Sequence, residues 1–151
     1  MEEESGSRVL IRNCAEDDLA EIVKLEKKSF EHPYDLGTFA YFLSSDHAVF
    51  LVYDVEGSVE GYVICDISSR KKGIVVSIAV SPEHRRKGLG SSLLEAAISR
   101  MRGRVSELEL QVARSDEGAV QFYEAHGFLI EGTLPDYYAD GEDAYLMVRK
   151  L

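Results

Sequence analysis

The stretch that decides the fold is residues 80–90, VSPEHRRKGLG. An almost unbroken apolar segment at residues 73–80 leads into it, which is typical of a strand buried on both faces. After it, apolar side chains recur along one side of a helix, at Leu89, Leu93, Leu94, Ala97, Ile98 and Met101. The stretch is therefore predicted to be the turn that joins a central strand to a long helix.

This turn has the features of a phosphate-binding site. Gly88 and Gly90 remove side chains where a ligand must approach the backbone, and the first N–H groups of the helix point into the same space. Residues 85–87 add three positive charges. The turn does not match GxxxxGK[ST], since no lysine follows Gly90, nor GxGxxG, since Leu93 takes the third glycine position. Taken alone, it also fits a simple strand-to-helix connection with a basic surface.

The rest of the chain alternates strand and helix patterns. Apolar runs at 48–53 and 59–64 flank turn residues, which predicts an antiparallel hairpin. A first helix is predicted from Asn13, acting as its cap, to about residue 29. Further elements are a strand at 9–11, helices at 38–43 and 119–125, and strands at 107–112, 129–130 and 144–148. The order β-α-α-β-β-β-α-β-α-β-β predicts an α/β domain, with a mixed, mostly antiparallel central sheet and helices on both faces.

Composition fits a single soluble domain. The chain has 151 residues, of which 45% are hydrophobic and 29% charged. Residues 1–7 are interpreted as a flexible acidic tail and residues 8–151 as one domain, without a signal peptide or a membrane span. The net charge of −10 disfavours nucleic acid and anionic membranes as partners.

The cysteines and histidines indicate the compartment and the absence of a metal. Cys14 and Cys65 form no CxxC pair, which is typical of a reduced, cytoplasmic protein. The four histidines show neither HxH nor HExxH spacing, so no metal site is expected.

Two motifs resemble signatures of one enzyme family. Arg85, Gly88 and Gly90 occupy the defining positions of [RQ]xxGx[GA], the acetyl-CoA motif of the GNAT superfamily of N-acetyltransferases. Residues 119–128, AVQFYEAHGF, resemble that superfamily's AxxxYxxxGF helix end. Both occur in the family's order, and the resemblance covers roughly residues 8–151. It implies the GNAT fold and an acetyltransferase with acetyl-CoA as co-substrate.

A narrower similarity concerns the acceptor. Residues 30–34, FEHPY, and 137–147, YYADGEDAYLM, resemble archaeal N-terminal acetyltransferase subunits and ribosomal-protein alanine acetyltransferases. This implies acetylation of the α-amino group of protein N-termini and leaves an auxiliary subunit or ribosome association open. The alternatives are acetylation of a lysine side chain or a small-molecule amine, or a non-catalytic acyl-CoA-binding module.

The resemblance also implies where the substrates bind. The pantetheine of the cofactor would pair with one strand and its pyrophosphate would lie on the basic turn. The implied cofactor contacts are Ile78, Ala79, Val80, Arg85, Arg86, Lys87, Gly88, Leu89, Gly90, Ser91, Asp116 and Tyr123. The implied peptide contacts are Phe30, Glu31, Pro33, Tyr34, Tyr137 and Tyr138.

Acetyl transfer needs a neutral amine, a polarised thioester and a proton for the departing thiolate. Backbone N–H groups of residues 78–80 are candidates for polarising the thioester carbonyl. Tyr123 is the candidate general acid, because a phenol with a pKa of about 10 lies close to a thiol with a pKa of about 8.5.

The sequence leaves the identity of the general base open. The family often has glutamate twelve residues before the motif tyrosine, but this chain has Gln111, which cannot take a proton. Gln111 holding a water is the first hypothesis, and it suits an α-amine better than a lysine. Glu109, on the same strand face, is the fallback, and Glu31 is a second candidate.

Overall fold

The computed structural model describes residues 9–69, 71–85 and 87–151. The predicted acidic tail, residues 1–7, and the predicted cofactor residue Arg86 lie outside these ranges. The described elements are β1 (Val9–Asn13), α1 (Leu19–Ser29), α2 (Leu36–Ser44), β2 (Ala48–Val55), β3 (Ser58–Ser69), β4 (Lys71–Val80), α3 (Leu89–Met101), β5 (Val105–Ala113), α4 (Glu117–Ala125), β6 (Leu129–Leu134) and β7 (Ala144–Lys150). Every described helix is too short or too polar to cross a lipid bilayer.

The seven described strands form one sheet in the order β1-β2-β3-β4-β5-β7-β6. All neighbours are antiparallel except β4 and β5, which are parallel. Residues of α3 and α4 pack on one face, and residues of α1 and α2 pack on the other. The predicted element order, the mixed sheet and the helices on both faces are therefore confirmed.

The start of the first helix differs from the prediction. Asn13 ends β1, and a 3-10 turn over Glu16–Asp18 precedes α1. The buried carboxylate of Asp18 accepts a hydrogen bond from the Ala15 N–H at 2.7 Å and binds the Arg12 guanidinium at 2.8 and 3.0 Å. A tertiary ion pair with β1 therefore fixes this helix start, which is why a purely local capping rule chose the wrong residue.

The sheet has a gap at its centre. The ladder between β4 and β5 runs only from Lys71 opposite Val105 to Ile74 opposite Glu109. On the other side of β4, Ile64 pairs with Ser77 and Cys65 with Val75, so Val76 is an extra residue in β4. Such a bulge bends the strand that carries it. Because β5 stays in register with β7, residues 75–80 of β4 and 110–113 of β5 no longer pair with one another.

Candidate active site

The N-terminus of α3 presents backbone N–H donors that precede the first hydrogen bond of the helix. Gly88 precedes the helix with a φ of +80°, a conformation that glycine adopts without steric cost. The hydrogen bond from Ser92 N to Gly88 O, at 3.0 Å, is the first along the helix. The N–H groups of residues 89–91 therefore lie ahead of the helical ladder, where they can bind an anion such as pyrophosphate.

The two glycines of the turn have different roles. A Cβ on Gly88 would meet nothing within 4 Å, whereas a Cβ on Gly90 would touch the Phe122 ring at 3.5 Å and Val80 at 3.8 Å. Gly88 thus has a backbone conformation that favours glycine, whereas a Cβ at Gly90 would make ordinary van der Waals contact with Phe122 and Val80. That both glycines clear space for a ligand stays a prediction, and Gly90 lies in the first turn of α3.

Arg85 and Ser91 are held by other residues of the protein. The Arg85 Nε donates to the Val80 carbonyl at 2.9 Å, which fastens the turn to the end of β4. The Ser91 Oγ lies 2.8 Å from Nε2 of His126, whose Nδ1 lies 2.9 Å from Glu95. His126 thus orients the predicted cofactor residue Ser91. The sequence analysis placed His126 at the end of a helix and gave it no role in the site. Its position directly before Gly127 and Phe128 of the AxxxYxxxGF motif was the sequence feature that could have pointed to it. Lys87 is exposed on the same turn.

One backbone edge of β4 faces the gap. Ile78, Ala79 and Val80 pair with Val63, Tyr62 and Gly61 of β3 on one side. On their other side the ladder to β5 has already ended. This edge of residues 78–80 therefore has no strand partner among the described residues, and its pairing with pantetheine stays a prediction.

Tyr123 is buried, with 9% of its surface exposed. Its ring packs edge-on against Phe122 and Phe128, with centroids 5.3 and 5.7 Å away. Burial raises the pKa of Tyr123, and the neighbouring Cys65, Asp116 and Tyr138 add to the shift. The expectation of a phenol pKa near its ordinary value is therefore wrong in this structure. The hydroxyl is a weaker acid than a free tyrosine and stays protonated near neutral pH.

Asp116 caps a helix in this structure. It is the residue before α4, and its carboxylate accepts a hydrogen bond from the Ala119 N–H at 3.1 Å. This contact explains the carboxylate at this position independently of a cofactor.

Gln111 and Glu109 share a strand face, as predicted, but their surroundings differ. Leu110 points into the core, so its two neighbours face the α1–α2 side of the sheet. Glu109 pairs with Ile74 at the last rung of the β4–β5 ladder and forms a 3.2 Å salt bridge with Lys72. Gln111 lies beyond that rung, beside the gap, and pairs with Leu146 of β7. This arrangement favours Gln111 over Glu109 for contact with a reacting amine.

The two predicted peptide-binding segments meet in space. The His32 ring stacks on Tyr138 with centroids 4.4 Å apart, and Tyr137 packs edge-on against Tyr138 at 5.0 Å. Burial and the neighbouring tyrosines raise the pKa of Tyr138 to about 12. Tyr34 and Tyr137 are respectively 41% and 48% exposed, so both can contact a bound peptide.

The other predicted peptide contacts in the loop at residues 30–34 differ in their exposure. Phe30 packs against the core under α1 and α2, while Glu31 and Pro33 are exposed. Phe30 therefore supports the loop from below, and Glu31 and Pro33 lie on its surface.

Acidic side chains surround His32 at this opening. Its Nε2 lies 3.4 Å from Asp140 and 3.8 Å from Glu142, and Glu31 belongs to the same cluster. Sequence reasoning missed the cluster because its members come from two loops about a hundred residues apart. The opening is therefore negatively charged and suited to a cationic acceptor.

Sequence reasoning also missed Glu26, whose carboxylate is buried beneath the loop at residues 30–34. Its exposure is 1%. The Tyr34 N–H donates to Oε2 at 3.0 Å, the Ser77 hydroxyl donates to Oε1 at 2.8 Å, and the Tyr62 hydroxyl also donates to Oε1. No sequence signal distinguished Glu26 from the charged residues around it on α1.

Comparisons with known proteins show the family of the chain. The model of the Acetyltransferase (GNAT) family matches residues 19–128. An N-alpha-acetyltransferase of Saccharolobus solfataricus is 37% identical over 163 aligned residues, covering 99% of this chain and 98% of the relative. The crystal structure of Ard1 from Thermoplasma volcanium superposes with a TM-score of 0.88 at 29% identity, covering 95% of this chain and 97% of that one.

A second solved structure is nearly as similar. The ribosomal-protein-S18-alanine N-acetyltransferase of Escherichia coli has a TM-score of 0.84 at 28% identity, covering 95% of this chain and 94% of that one. Both family motifs lie at the gap and the helix N-terminus described above. The chain belongs to the GNAT family of acetyltransferases.

Proposed function

We propose that the protein transfers the acetyl group of acetyl-CoA to the α-amino group of protein N-termini. The observation that carries the proposal is the meeting of two loops in the His32–Tyr138 stack, with exposed Tyr34 and Tyr137 beside it. Such an opening offers flat aromatic surface to an extended peptide. The names of the relatives from Saccharolobus solfataricus and Thermoplasma volcanium support the same assignment.

The protein offers a distinct place for each part of acetyl-CoA. The backbone N–H groups of residues 89–91 would hold the pyrophosphate, with Ser91 oriented by His126. The free edge of β4 at residues 78–80 would pair with the pantetheine and polarise the thioester carbonyl. Bound in this way, the cofactor would have its thioester at the gap between β4 and β5, on the side of Gln111.

At the acyl carbon one bond forms and one breaks, and overall one proton leaves nitrogen and one reaches sulfur. The neutral amine attacks the thioester carbon, a C–N bond forms, the C–S bond breaks, and the amine loses a proton. Gln111 would hold the water that accepts this proton. Tyr123 would donate a hydrogen bond, and then its proton, to the departing thiolate. Tyr123 is protonated near neutral pH and can donate to sulfur, but its raised pKa makes it a weaker acid than a free tyrosine.

The weak base at Gln111 favours an α-amine. An α-amino group with a pKa of about 8 is roughly one-tenth neutral at pH 7, whereas a lysine with a pKa of about 10.4 is neutral in less than about one-thousandth of molecules. The difference corresponds to roughly 3 kcal/mol of deprotonation. A site without a strong base therefore selects for a protein N-terminus.

We extend the proposal to location and partners. Both cysteines are buried free thiols, as is normal in the cytoplasm. Leu129 and Ile130 expose apolar side chains on the edge strand β6, which supports contact with an auxiliary subunit or the ribosome. Ile130→Lys should then weaken co-sedimentation with ribosomes and leave turnover of free peptides unchanged.

Intact-mass measurement tests the proposed activity. The protein is incubated with acetyl-CoA and peptides that carry a free N-terminus, and the peptide should gain one acetyl group with release of free CoA thiol. Acetyl-CoA binding without any acetylated peptide would identify the protein as a binding module. Acetylation of small amines alone would identify a different acceptor class.

A further inference from the structure

Glu26 is the most deeply buried carboxylate among the described residues, and the reaction described above does not use it. It lies on α1, yet its three hydrogen-bond donors come from three other parts of the fold. Tyr34 belongs to the loop between α1 and α2, Tyr62 to β3 and Ser77 to β4. One side chain thus connects four segments of the chain.

The burial of Glu26 has an energetic cost. The three groups that donate to its carboxylate are all uncharged, and a buried charge is destabilising unless it is well compensated. The hydrogen bonds offset part of this cost. Burial and the charge of Glu26 raise the pKa of Tyr62, so the phenol remains a donor. An apolar side chain of similar volume would avoid the cost of the buried charge but would leave these donors without their acceptor, so the carboxylate connects the segments that surround it.

The geometry indicates what Glu26 does. Ser77 is the first residue after the bulge at Val76, where β4 separates from β5. Tyr34 is the exposed ring of the acceptor opening, and its backbone N–H binds the other oxygen of the same carboxylate. The carboxylate therefore ties the loop that faces the acceptor to the strand that faces the thioester.

We propose that Glu26 is a positioning residue for the acceptor peptide. It fixes the distance between the loop at residues 30–34 and β4, and so aligns the acceptor amine with the thioester. Orientation of this kind is a large part of the rate acceleration in a two-substrate reaction. The inference rests on the proposed acetyltransferase function.

The decisive variant is Glu26→Met, which keeps the volume and removes the acceptors. Tyr62 OH and Ser77 Oγ are 3.4 Å apart and can then bond to each other. The KM for a peptide acceptor should rise by about tenfold, the effect of losing a hydrogen bond to a charged group. Acetyl-CoA affinity, measured by calorimetry, should stay unchanged, because the N-terminus of α3 is untouched.

A conservative variant and a control separate positioning from general damage. Glu26→Gln keeps an acceptor for Tyr34 N and should retain a peptide KM within about threefold of the wild type. Glu21→Gln changes an exposed glutamate on the same helix and should have no effect. If Glu26→Met does not fold, the triple variant Glu26→Leu, Tyr62→Phe and Ser77→Ala removes the carboxylate together with two of its donors and should raise the peptide KM in the same way.

Amide hydrogen exchange provides a readout that is independent of catalysis. The Tyr34 amide should exchange faster in Glu26→Met than in the wild type and should be protected again in Glu26→Gln. Unchanged exchange and unchanged peptide KM in Glu26→Met would overturn the positioning role. Equal loss in Glu26→Gln and Glu26→Met would also overturn it, since the charge would then matter and not the connection. Faster exchange without any peptide acetylation by the wild type would contradict the proposed function and leave the structural connection intact.

Discussion

The rings of His32 and Tyr138 lie parallel, with an angle of 9° between their planes and a centroid separation of 4.4 Å. His32 belongs to the loop that follows α1, and Tyr138 belongs to the loop between β6 and β7. The stack therefore holds together two loops that are distant in sequence. Its loss should affect the peptide and spare the cofactor.

Replacing His32 with alanine should raise the peptide KM by roughly two- to tenfold, the range that one aromatic pair can supply. Acetyl-CoA affinity should not change. Steady-state kinetics with peptide varied at saturating acetyl-CoA measures this effect, and His47→Ala, at an exposed position, is the control. An unchanged peptide KM in His32→Ala would show that the stack does not shape the acceptor site.

The effect of a substitution at Gly88 on acetyl-CoA affinity should depend on whether the new residue tolerates a positive φ. Gly88→Asn should keep acetyl-CoA affinity, because asparagine accepts the left-handed conformation, whereas Gly88→Val should lose it, because a β-branched residue does not. Space does not distinguish the two, since a Cβ at Gly88 meets nothing within 4 Å. Calorimetric titration with acetyl-CoA gives the comparison. Equal affinity in both variants would rule out Gly88 conformation as a requirement for cofactor binding.

Removing the hydroxyl of Tyr123 should lower kcat by roughly a hundredfold, a usual scale for a general acid. The affinity for acetyl-CoA should hold, because phenylalanine keeps the ring contacts with Phe122 and Phe128. Tyr53→Phe, in the same core, is the control and should retain wild-type turnover. Full activity of Tyr123→Phe would remove Tyr123 from the mechanism.

The pH profile tests the state of the same hydroxyl. A raised pKa keeps Tyr123 protonated as pH increases, so its function as an acid is lost only above the ordinary phenol value of about 10. Wild-type kcat should therefore show no decline due to Tyr123 below that pH. If wild-type kcat declines with rising pH below about pH 10 and this decline is absent in Tyr123→Phe, Tyr123 is not protonated over the expected range.

Asp18 should make stability depend on pH in a defined direction. Its hydrogen bonds to Arg12 lower its pKa in the folded state, so its contribution is complete above the unfolded value of about 3.9 and is lost as pH falls through the folded value. Asp18→Asn should cost roughly 1.5–3 kcal/mol of unfolding free energy at pH 7, and less in acid. Urea denaturation at several pH values measures this, with the exposed Asp17→Asn as the control. A difference that grows in acid would contradict the ion pair.

Much of the fold could be predicted from local pattern, because the patterns report burial on one side of each element. The apolar run that ends at Val80 and the helical spacing after Leu89 were sufficient to predict β4 and α3. The start of α1 was not predictable in this way, because Asp18 binds Arg12 of the preceding strand β1. A capping rule that considers only the helix and its first turn does not include this partner.

Candidate site residues could be predicted where motifs mark them and not where side chains converge from separate segments. Gly88 and Tyr123 were predicted because each belongs to a spaced motif. Glu26 and His32 carry no such mark, since a glutamate on a helix and a histidine before a proline have many roles. Their place became apparent only when Tyr34 and Tyr138 were brought next to them.

The measurement that tests the central claim most directly compares two peptides of identical composition. One has a free N-terminus and carries its only lysine with a blocked ε-amine, and the other has a blocked N-terminus and a free internal lysine. The protein should acetylate the first with a kcat/KM at least about a hundredfold higher, since an α-amine is that much more often neutral at pH 7. Acetylation of the blocked peptide at an equal or higher rate would contradict the assignment and make the lysine side chain the acceptor.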